Sequence, residues 1–206
     1  MSFATRLVNN ALERQLKPFS YIVDNTFFTV EDTQHICNYC SNLPLREGGL
    51  FNEESNYSER KVKLSFIDIK DHLNSWIFDK MNTLIGYYND NNFGFDLIGY
   101  DYMQYAEYSP SCHQNYHMDM NFALDTKYLS DTLRKMTVVL LLNEPNVDFT
   151  GGEFVLNLSS QERADYVQLR RGSVLLFPSF LIHRVMPVAS GLRKSLVVWP
   201  IGPKFR

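Results

Sequence analysis

Short runs of β-branched and aromatic residues, each ended by Gly, Pro or Asn, fill the chain from Phe93 onward. Runs such as "KMTVVLLLN", "GGEFVLNL" and "SVLLFPS" have the length and composition of strands. The part before Phe93 instead contains two stretches of helical spacing, with the strand-like run "KVKLSFIDI" between them. Helices first and strands afterwards predict an α+β layout, in which helices cover one face of a sandwich or barrel. The 206 residues fit one domain with a substantial core.

Two amphipathic helices are predicted in the first half. The first begins at Thr29, with Asp32 at the spacing of a capping box, and its apolar residues continue at helical intervals to Leu43. The second covers the stretch from Asp71 to Asn89, where "NDNNFG" ends it. Between the two helices, the polar segment 48–60 is predicted to be a loop.

Composition narrows the class of protein. A net charge of −3 argues against a nucleic-acid binder that relies on neutralising phosphates. The N-terminal stretch lacks the apolar region of a signal peptide, and nowhere do 18 apolar residues run together. Three cysteines are too few for a disulfide scaffold and fit a reducing compartment. We therefore expect a cytoplasmic protein with neither a nucleic-acid nor a membrane partner, and the oligomeric state is left open.

The stretch "NYHMDMN" contains the first candidate for chemistry. If it is a strand, His117 and Asp119 project to the same side, because side chains alternate along a strand. A second histidine, His183, lies 66 residues later in another strand-like run. Two histidines and one carboxylate form the facial triad of non-haem Fe(II) oxygenases, which leaves positions open for a cosubstrate and dioxygen.

A candidate anion site follows His183. If "VASG" is a tight turn, the flanking strands pair with each other, and Arg193 and Ser195 face the same side as His183. Arg193 would then lie about 13 Å further along its strand, a gap that a small dicarboxylate could bridge. Arg193 would grip the far carboxylate bidentately and Ser195 would add a hydroxyl donor. With a different register, Arg184 or Lys135 would hold the carboxylate instead.

Several stretches together resemble the Fe(II)- and 2-oxoglutarate-dependent dioxygenases, in the prolyl-4-hydroxylase-like branch. They are "MQYAEYSPSCHQNYHMDMN", "RKMTVVLLLNEP", "GGEFVL" and "RRGSVLLFPSFLIHRVMPVASGLRKSLVVWPIGPKFR". The resemblance covers about 90–206. It implies a double-stranded β-helix, or jelly roll, with the N-terminal helices packed on one face. It also implies a single domain over 1–206, with helical support over about 1–90 and a catalytic β-core over about 91–206.

The resemblance assigns roles to residues. It implies that the iron is bound by His117, Asp119 and His183. It implies that 2-oxoglutarate is bound by Arg193, Ser195 and Tyr108. The cofactors would be Fe(II), 2-oxoglutarate and dioxygen, with ascorbate as an accessory reductant. The reaction would yield succinate, carbon dioxide and a hydroxylated amino-acid side chain. The substrate would be a protein, a peptide or a small amino-acid-like molecule, with a prolyl residue as one candidate. The alternative is a jelly-roll sensor that binds metal and 2-oxoglutarate without turnover.

The sequence differs from the family pattern at three positions. Ser111 stands where many members have glycine, and Gln114 stands where the hydroxylase branch has a tyrosine. Leu140 stands where some prolyl hydroxylases use a tyrosine to bind 2-oxoglutarate. The Gly151-Gly152 pair is predicted to be only a strand connector. The polar segments 47–60 and 120–134 are predicted to be lids that set specificity.

The cysteines allow a second metal hypothesis. Cys37 and Cys40 form a C-x-x-C pair, which could bind zinc together with Cys112 and His113. On a helix, however, Cys37 and Cys40 fall on the apolar stripe and behave as small hydrophobic residues. Core packing is therefore the favoured interpretation.

Overall fold

The computed structural model describes residues 21–48, 60–68, 75–120, 131–158 and 164–204. Most of the two predicted lids and the start of the second predicted helix lie outside these ranges. Within them, none of the helices is both long enough and apolar enough to cross a membrane.

The larger of the sheets has eight strands. With strands numbered in chain order, its members are β1 (Ile22–Asp24), β2 (Arg46–Glu47), β4 (Lys63–Phe66), β5 (Gly99–Tyr108), β7 (Thr132–Arg134), β8 (Met136–Leu141), β12 (Val174–Pro178) and β15 (Arg193–Pro203). The strand order is β1-β12-β8-β15-β5-β4-β2, and β7 pairs with β15 beyond the end of β8. The long strand β15 therefore organises this sheet.

A smaller sheet and a strand pair complete the β-structure of the described residues. The smaller sheet contains β3 (Arg60–Lys61), β6 (His113–His117), β10 (Phe154–Asn157), β11 (Ala164–Val167) and β13 (Ile182–Val185). Its order is β11-β10-β13-β6-β3. A separate antiparallel pair joins β9 (Phe149–Gly151) to β14 (Val188–Gly191).

Both helices bury the apolar faces that the sequence predicted. Helix α1 (Val30–Cys40) begins with the predicted capping box, because Asp32 N donates to Thr29 Oγ1 (3.1 Å) and Thr29 N donates to Asp32 Oδ2 (2.8 Å). Helix α2 (Ser75–Tyr88) passes into a single π-helical turn, Asn89–Phe93, within the "NDNNFG" stretch. Both helices are confirmed within the described residues, although α1 ends at Cys40 and does not continue to Leu43.

Two hydrophobic clusters lie on opposite faces of the larger sheet. Val138 and Leu140 of β8 belong to a cluster that includes the buried residues of both helices. Val139 and Leu141, which alternate with them, belong to a second cluster that also contains residues of the smaller sheet. The second cluster therefore lies between the two sheets, and the interior formed there holds the candidate site.

The predicted hairpin between the strands of His183 and Arg193 is wrong. His183 lies on β13, which pairs with β6 and β10 in the smaller sheet, whereas Arg193 begins β15 in the larger sheet. The stretch predicted as a turn is strand β14, paired with β9. Gly191 is needed there for a close approach and not for a two-residue turn, because a Cβ atom at Gly191 would lie 2.1 Å from the carbonyl oxygen of Asp148.

Candidate active site

A cavity of about 670 Å³ lies between the two sheets. Its lining from the larger sheet includes alternate residues of β15, namely Arg193, Ser195, Val197 and Trp199. Its lining from the smaller sheet includes residues of β6, β10 and β13. Arg193 and Ser195 therefore share a cavity with His183, although they face it from the opposite sheet and not from a shared hairpin.

His117, Asp119 and His183 converge in this cavity. His117 is the last residue of β6 and pairs directly with His183 of β13. Asp119 lies beyond the strand, so the assumption that both residues of the His-x-Asp motif are in a strand is wrong. The backbone N–H groups of Asp119 and Met120 both donate to the carbonyl of Ser179 at 3.0 Å, and these bonds fix the bend that turns the carboxylate inward.

The three side chains are arranged as metal ligands would be. His117 Nε2 lies 3.4 Å from Asp119 Oδ1, and His183 Nε2 lies 3.3 Å from Asp119 Oδ2. One ligand atom from each residue lies within 4.8 Å of the others, and no other metal-binding group of three or more residues occurs in the described ranges.

The backbone sets the tautomer of both imidazoles. His117 Nδ1 lies 2.8 Å from the carbonyl oxygen of Asn115, and His183 Nδ1 lies 2.9 Å from that of Leu181. A carbonyl oxygen only accepts hydrogen bonds, so each Nδ1 carries a proton, and Nε2 is the nitrogen that can bind a metal when it is unprotonated. Since Nε2 points toward Asp119 in both rings, the residues present fit a divalent first-row metal.

The Asp119 carboxylate is kept ionised inside the protein. Burial by itself would raise its pKa, but the charge of His183 and hydrogen bonds from both imidazoles outweigh burial, and the pKa lies well below its usual range. Thr137 Oγ1, on β8, donates a further hydrogen bond to Asp119 Oδ2 at 2.8 Å. Thr137 was not identified from the sequence, where a threonine in an apolar strand gives no signal of its own.

Arg193, the first residue of β15, is a buried cation. The Arg193 side chain is only 2% exposed, and its guanidinium carbon lies 5.4 Å from the ring centre of Tyr108, its direct neighbour on β5. Arg193 Nη1 donates to Ser195 Oγ at 3.2 Å. No carboxylate of the described residues forms an ion pair with Arg193. A buried, unneutralised guanidinium beside two hydroxyl groups is suited to a carboxylate ligand.

Tyr108 can act as a hydrogen-bond donor to such a ligand. Burial raises the pKa of its phenol, and the nearby charges of Arg60 and Arg193 only partly oppose this increase. The phenol therefore stays protonated across the ordinary pH range. Arg60, on β3, was not identified from the sequence because it lies in a segment predicted to be a loop.

The glycine pair at 151–152 does more than connect two strands. Both glycines have positive φ, +72° for Gly151 and +67° for Gly152. A Cβ atom at Gly152 would lie 2.9 Å from Arg193 Cδ and 3.0 Å from Val188 Cγ2. Gly152 therefore leaves the space that the Arg193 side chain occupies, a role that the sequence did not reveal.

The three residues that depart from the family pattern, Ser111, Gln114 and Leu140, differ in how they lie relative to the cavity. Ser111 has a φ of +67°, a conformation that glycine adopts more easily. Gln114 Nε2 lies 2.8 Å from His117 Nε2, the atom that would bind a metal. Leu140 belongs to the helix-side cluster and does not line the cavity, so its comparison with a cosubstrate-binding tyrosine is wrong. Thr137 and Val139 are the cavity-facing residues of β8.

The residues named in the alternative hypotheses for the carboxylate and zinc sites do not line the cavity. Neither Arg184 nor Lys135 lines the cavity. Cys40 packs in the helix-side cluster, whereas Cys112 packs in the cluster between the sheets. The structure therefore does not bring these two cysteines together as a zinc site would require.

A model described as the 2OG-Fe(II) oxygenase superfamily matches residues 103–200. Residues 103–200 are therefore similar to the 2OG-Fe(II) oxygenase superfamily, and we call this segment the oxygenase core. This oxygenase core contains His117, Asp119, His183 and Arg193, and it includes most of the strands that form the cavity.

The oxygenase core also resembles curated proteins. A PKHD-type hydroxylase of Colwellia psychrerythraea is 38% identical over 77 residues, which cover 36% of this chain and 33% of that protein. A PKHD-type hydroxylase of a Synechococcus strain is 35% identical over 83 residues, which cover 40% of this chain and 35% of that protein. The matched part thus spans about a third of the length of these relatives.

Solved structures share the fold over nearly the whole chain. A Pseudomonas putida prolyl-4-hydroxylase superposes with a TM-score of 0.72 at 19% identity, over 97% of this chain and 99% of that one. A Trichoplax adhaerens prolyl hydroxylase, solved with a hypoxia inducible factor peptide fragment, superposes with a TM-score of 0.69 at 20% identity, over 97% and 94%. The fold around the oxygenase core is therefore that of these enzymes.

Proposed function

We propose that this chain is an Fe(II)- and 2-oxoglutarate-dependent dioxygenase that hydroxylates an amino-acid side chain, with a prolyl residue of a peptide or protein as the first candidate. One observation carries the proposal. The ligand atoms of His117, Asp119 and His183 lie within 4.8 Å of one another, in the cavity that also contains the unneutralised Arg193. A metal triad and an anion site in one cavity are what a metal-chelating dicarboxylate requires.

In this proposal, His117, Asp119 and His183 hold the iron, which when bound supplies the redox chemistry that dioxygen needs. Arg193 binds the far carboxylate of 2-oxoglutarate, assisted by Ser195 and by the protonated phenol of Tyr108. The backbone carbonyls that accept from both Nδ1 atoms orient the two imidazoles so that each Nε2 faces the metal position. Asp119 contributes the negative charge that offsets the metal.

The overall reaction balances. One oxygen atom of dioxygen enters succinate as 2-oxoglutarate loses carbon dioxide, and the other enters a C–H bond of the substrate as a hydroxyl group. Arg193, Asp119 and His183 are almost completely buried, so bulk water is largely excluded from contact with these side chains. This exclusion favours oxidation of the bound substrate over side reactions.

The proposal extends to architecture and substrate class. We propose that the two facing sheets form a double-stranded β-helix, with the helices on one face, and that 1–206 is a single catalytic domain. The similarity to prolyl hydroxylases, one of them solved with a peptide, supports a peptide or protein substrate. The PKHD-type relatives support the hydroxylase class.

The test is to supply Fe(II), 2-oxoglutarate, ascorbate and dioxygen and to measure succinate. Incubation with peptide and small-molecule libraries, followed by mass spectrometry, should reveal a product heavier by one oxygen atom. The alternative is a sensor that binds metal and 2-oxoglutarate without turnover. Stoichiometric binding with no succinate above the metal-free control would favour the sensor and refute the oxygenase.

A further inference from the structure

A row of aromatic and arginine side chains crosses the larger sheet at one end of the cavity. Adjacent strands contribute one residue each, in the spatial order Arg46 (β2), Phe66 (β4), Tyr102 (β5), Trp199 (β15) and Arg134 (β7). Arg46 Cζ lies 4.6 Å from the ring centre of Phe66, and Arg134 Cζ lies 4.1 Å from that of Trp199. Phe66 and Tyr102 meet edge to face with their ring centres 5.5 Å apart. We call these five residues the outer row.

The outer row lies level with the histidine–aspartate triad. Val198 of β15 pairs with Val138 of β8, so continuing this register by one residue places Trp199 beside Thr137. Thr137 in turn hydrogen-bonds Asp119. Arg193 lies six residues further along β15, roughly 20 Å from Trp199 at the rise of a strand. A molecule on the outer row would therefore lie beside the metal site and away from the Arg193 end. This is the position that a prime substrate has to occupy.

The charges of the cavity do not cancel. Its described lining includes Arg46, Arg60, Arg134 and Arg193, with Asp119 as its only carboxylate, although the whole chain is acidic. Fe(II) and 2-oxoglutarate carry two opposite charges each, and Arg193 offsets Asp119. These four groups together are neutral.

Asp101 neutralises one of the remaining positive charges, that of Arg134. It forms an ion pair with Arg134 at 2.6 Å. No carboxylate of the described residues pairs with Arg46 or with Arg60. Among the described residues, two positive charges of the cavity lining therefore remain without a carboxylate partner, and one of them is the exposed Arg46 of the outer row.

Buried hydrogen-bond donors without a partner are an independent indication that a ligand binds in the cavity. In the described part of the chain, three buried side-chain nitrogen atoms have no hydrogen-bond partner, Arg60 Nε, Arg184 Nε and Trp199 Nε1, and all three are donors. Two of the three residues, Arg60 and Trp199, line the cavity. A buried donor without an acceptor is costly unless a ligand supplies the acceptor. Trp199 Nε1 is thus a donor at the outer row that has no acceptor among the described residues.

We propose that the prime substrate is acidic, and that it presents a carboxylate to Arg46 and a carbonyl oxygen to Trp199 Nε1. This inference names the substrate class of the proposed oxygenase and rests on that function. The half-exposed side chains of Tyr102 and Met118 at the edge of the cavity provide apolar contact for the rest of the substrate. The carboxylate belongs either to an Asp or Glu side chain next to the target residue in a peptide or to the α-carboxyl group of a free amino acid.

The experiment uses fluorescence of Trp199 as a readout of binding that needs no turnover. Trp76→Phe leaves Trp199 as the sole tryptophan, since the chain has two. The protein is loaded with Zn(II) and 2-oxoglutarate and titrated with acetyl-Ala-X-Glu-amide and acetyl-Ala-X-Gln-amide, where X is set in turn to each natural residue except Trp. A second pair compares each acetyl-amino acid with its amide, and this pair represents the free amino acid.

A preference of about tenfold or more for the acid member of one pair is expected, as one charge-assisted hydrogen bond predicts. The pair that shows the preference identifies the source of the carboxylate. Arg46→Gln should abolish the preference, and added salt should reduce it. Lys63→Gln is the matched control. Arg46 pairs with Leu64 of β4, and the exposed Lys63 is the residue before Leu64, so its side chain points to the opposite face of the sheet.

Equal affinity within both pairs would overturn the inference, and so would a preference that survives Arg46→Gln or is lost equally in Lys63→Gln. Failure to bind any acidic probe at millimolar concentration would also overturn it. The two proposals remain separable. A clear acid preference with Zn(II), but no succinate and no oxidised product with Fe(II), would refute the oxygenase and leave acid recognition standing.

Discussion

Thr137 Oγ1 donates a hydrogen bond of 2.8 Å to Asp119 Oδ2 in the interior of the protein. The same hydroxyl lies 3.1 Å from Ser179 Oγ, and the carbonyl of Ser179 accepts from the backbone N–H of Asp119. The carboxylate is therefore oriented by β8 and by the residue that follows β12, and not by the strand that precedes it. Residues that orient a ligand in this way affect metal binding without touching the metal.

Thr137→Val should lower metal affinity about 10- to 100-fold, because it removes this hydrogen bond and preserves the shape of the side chain. Competition with a chromophoric chelator measures the change. Thr150→Val is the control, since the Thr150 hydroxyl bonds to Ser190 Oγ on the surface at 2.7 Å. Equal affinity in both variants would mean that Thr137 does not orient Asp119.

Asp119→Ala should abolish both metal binding and succinate formation. One divalent metal should bind per chain in the wild-type protein, and Zn, Co or Ni should substitute for Fe(II) without turnover. His35→Ala serves as the control, because His35 is an exposed histidine on α1 whose ring meets that of Trp76. Anomalous scattering locates the metal. A metal bound at Cys37 and Cys40, or undiminished succinate in Asp119→Ala, would contradict the assignment.

Arg193→Leu should weaken 2-oxoglutarate binding by at least roughly 30-fold, since losing one partner of a buried charge-assisted pair costs about 2 to 5 kcal/mol. Metal affinity should change little, because the proposed task of Arg193 is at the far carboxylate. Arg193→Lys should recover part of the loss, since it keeps the charge but not the planar fork. Isothermal titration with saturating metal measures both. Unchanged cosubstrate affinity in Arg193→Leu would indicate that another cation, such as Arg60, holds the carboxylate.

Gly152→Ala should destabilise the fold and raise the 2-oxoglutarate concentration needed for half-maximal turnover. The new methyl group meets Arg193 Cδ at 2.9 Å, and a φ of +67° is unfavourable for alanine. Gly86→Ala is the control. Gly86 lies in α2 with nothing within 4 Å of the added Cβ, so this change should stabilise by about 0.5 to 1 kcal/mol. Thermal unfolding and cosubstrate titration of both variants test the pair, and a harmless Gly152→Ala would refute the packing argument.

Cys40 should resist thiol reagents in the folded protein. Burial raises the pKa of its thiol to about 12. At pH 8 roughly one Cys40 in ten thousand would then be a thiolate, which is the reactive form. Labelling followed by mass spectrometry of the peptide that contains Cys40 measures this directly, with the urea-unfolded protein as the control. Rapid labelling of Cys40 in native protein would contradict its place in the core.

The two helices show what local sequence could determine. Thr29 and Asp32 form the predicted capping box, and the apolar stripe of α2 is buried along Ile77, Met81, Leu84 and Ile85. Capping and helical periodicity depend on residues three or four positions apart, so they are readable in one sequence without knowledge of the fold.

The strand pairing around the site shows where the sequence was insufficient. His183 and Arg193 are ten residues apart, and a hairpin was the simplest local solution. The chain instead crosses between sheets, because β14 pairs with β9, a strand about 40 residues earlier. Such pairing depends on partners far away in sequence, and no period in a single strand reveals it.

The sequence by itself determined which residues carry the chemistry proposed here. Two histidines, a carboxylate and an arginine in an ordered set of motifs singled out His117, Asp119, His183 and Arg193, and their roles as ligands stay predictions. Tertiary structure alone decided how these residues meet. It placed Arg193 opposite the triad on another sheet, recruited Thr137 to orient Asp119, and gathered Arg46 and Trp199 into the outer row. The physical reason is that a cavity between two sheets is formed by side chains from many strands, and their convergence depends on long-range packing that a local pattern does not encode.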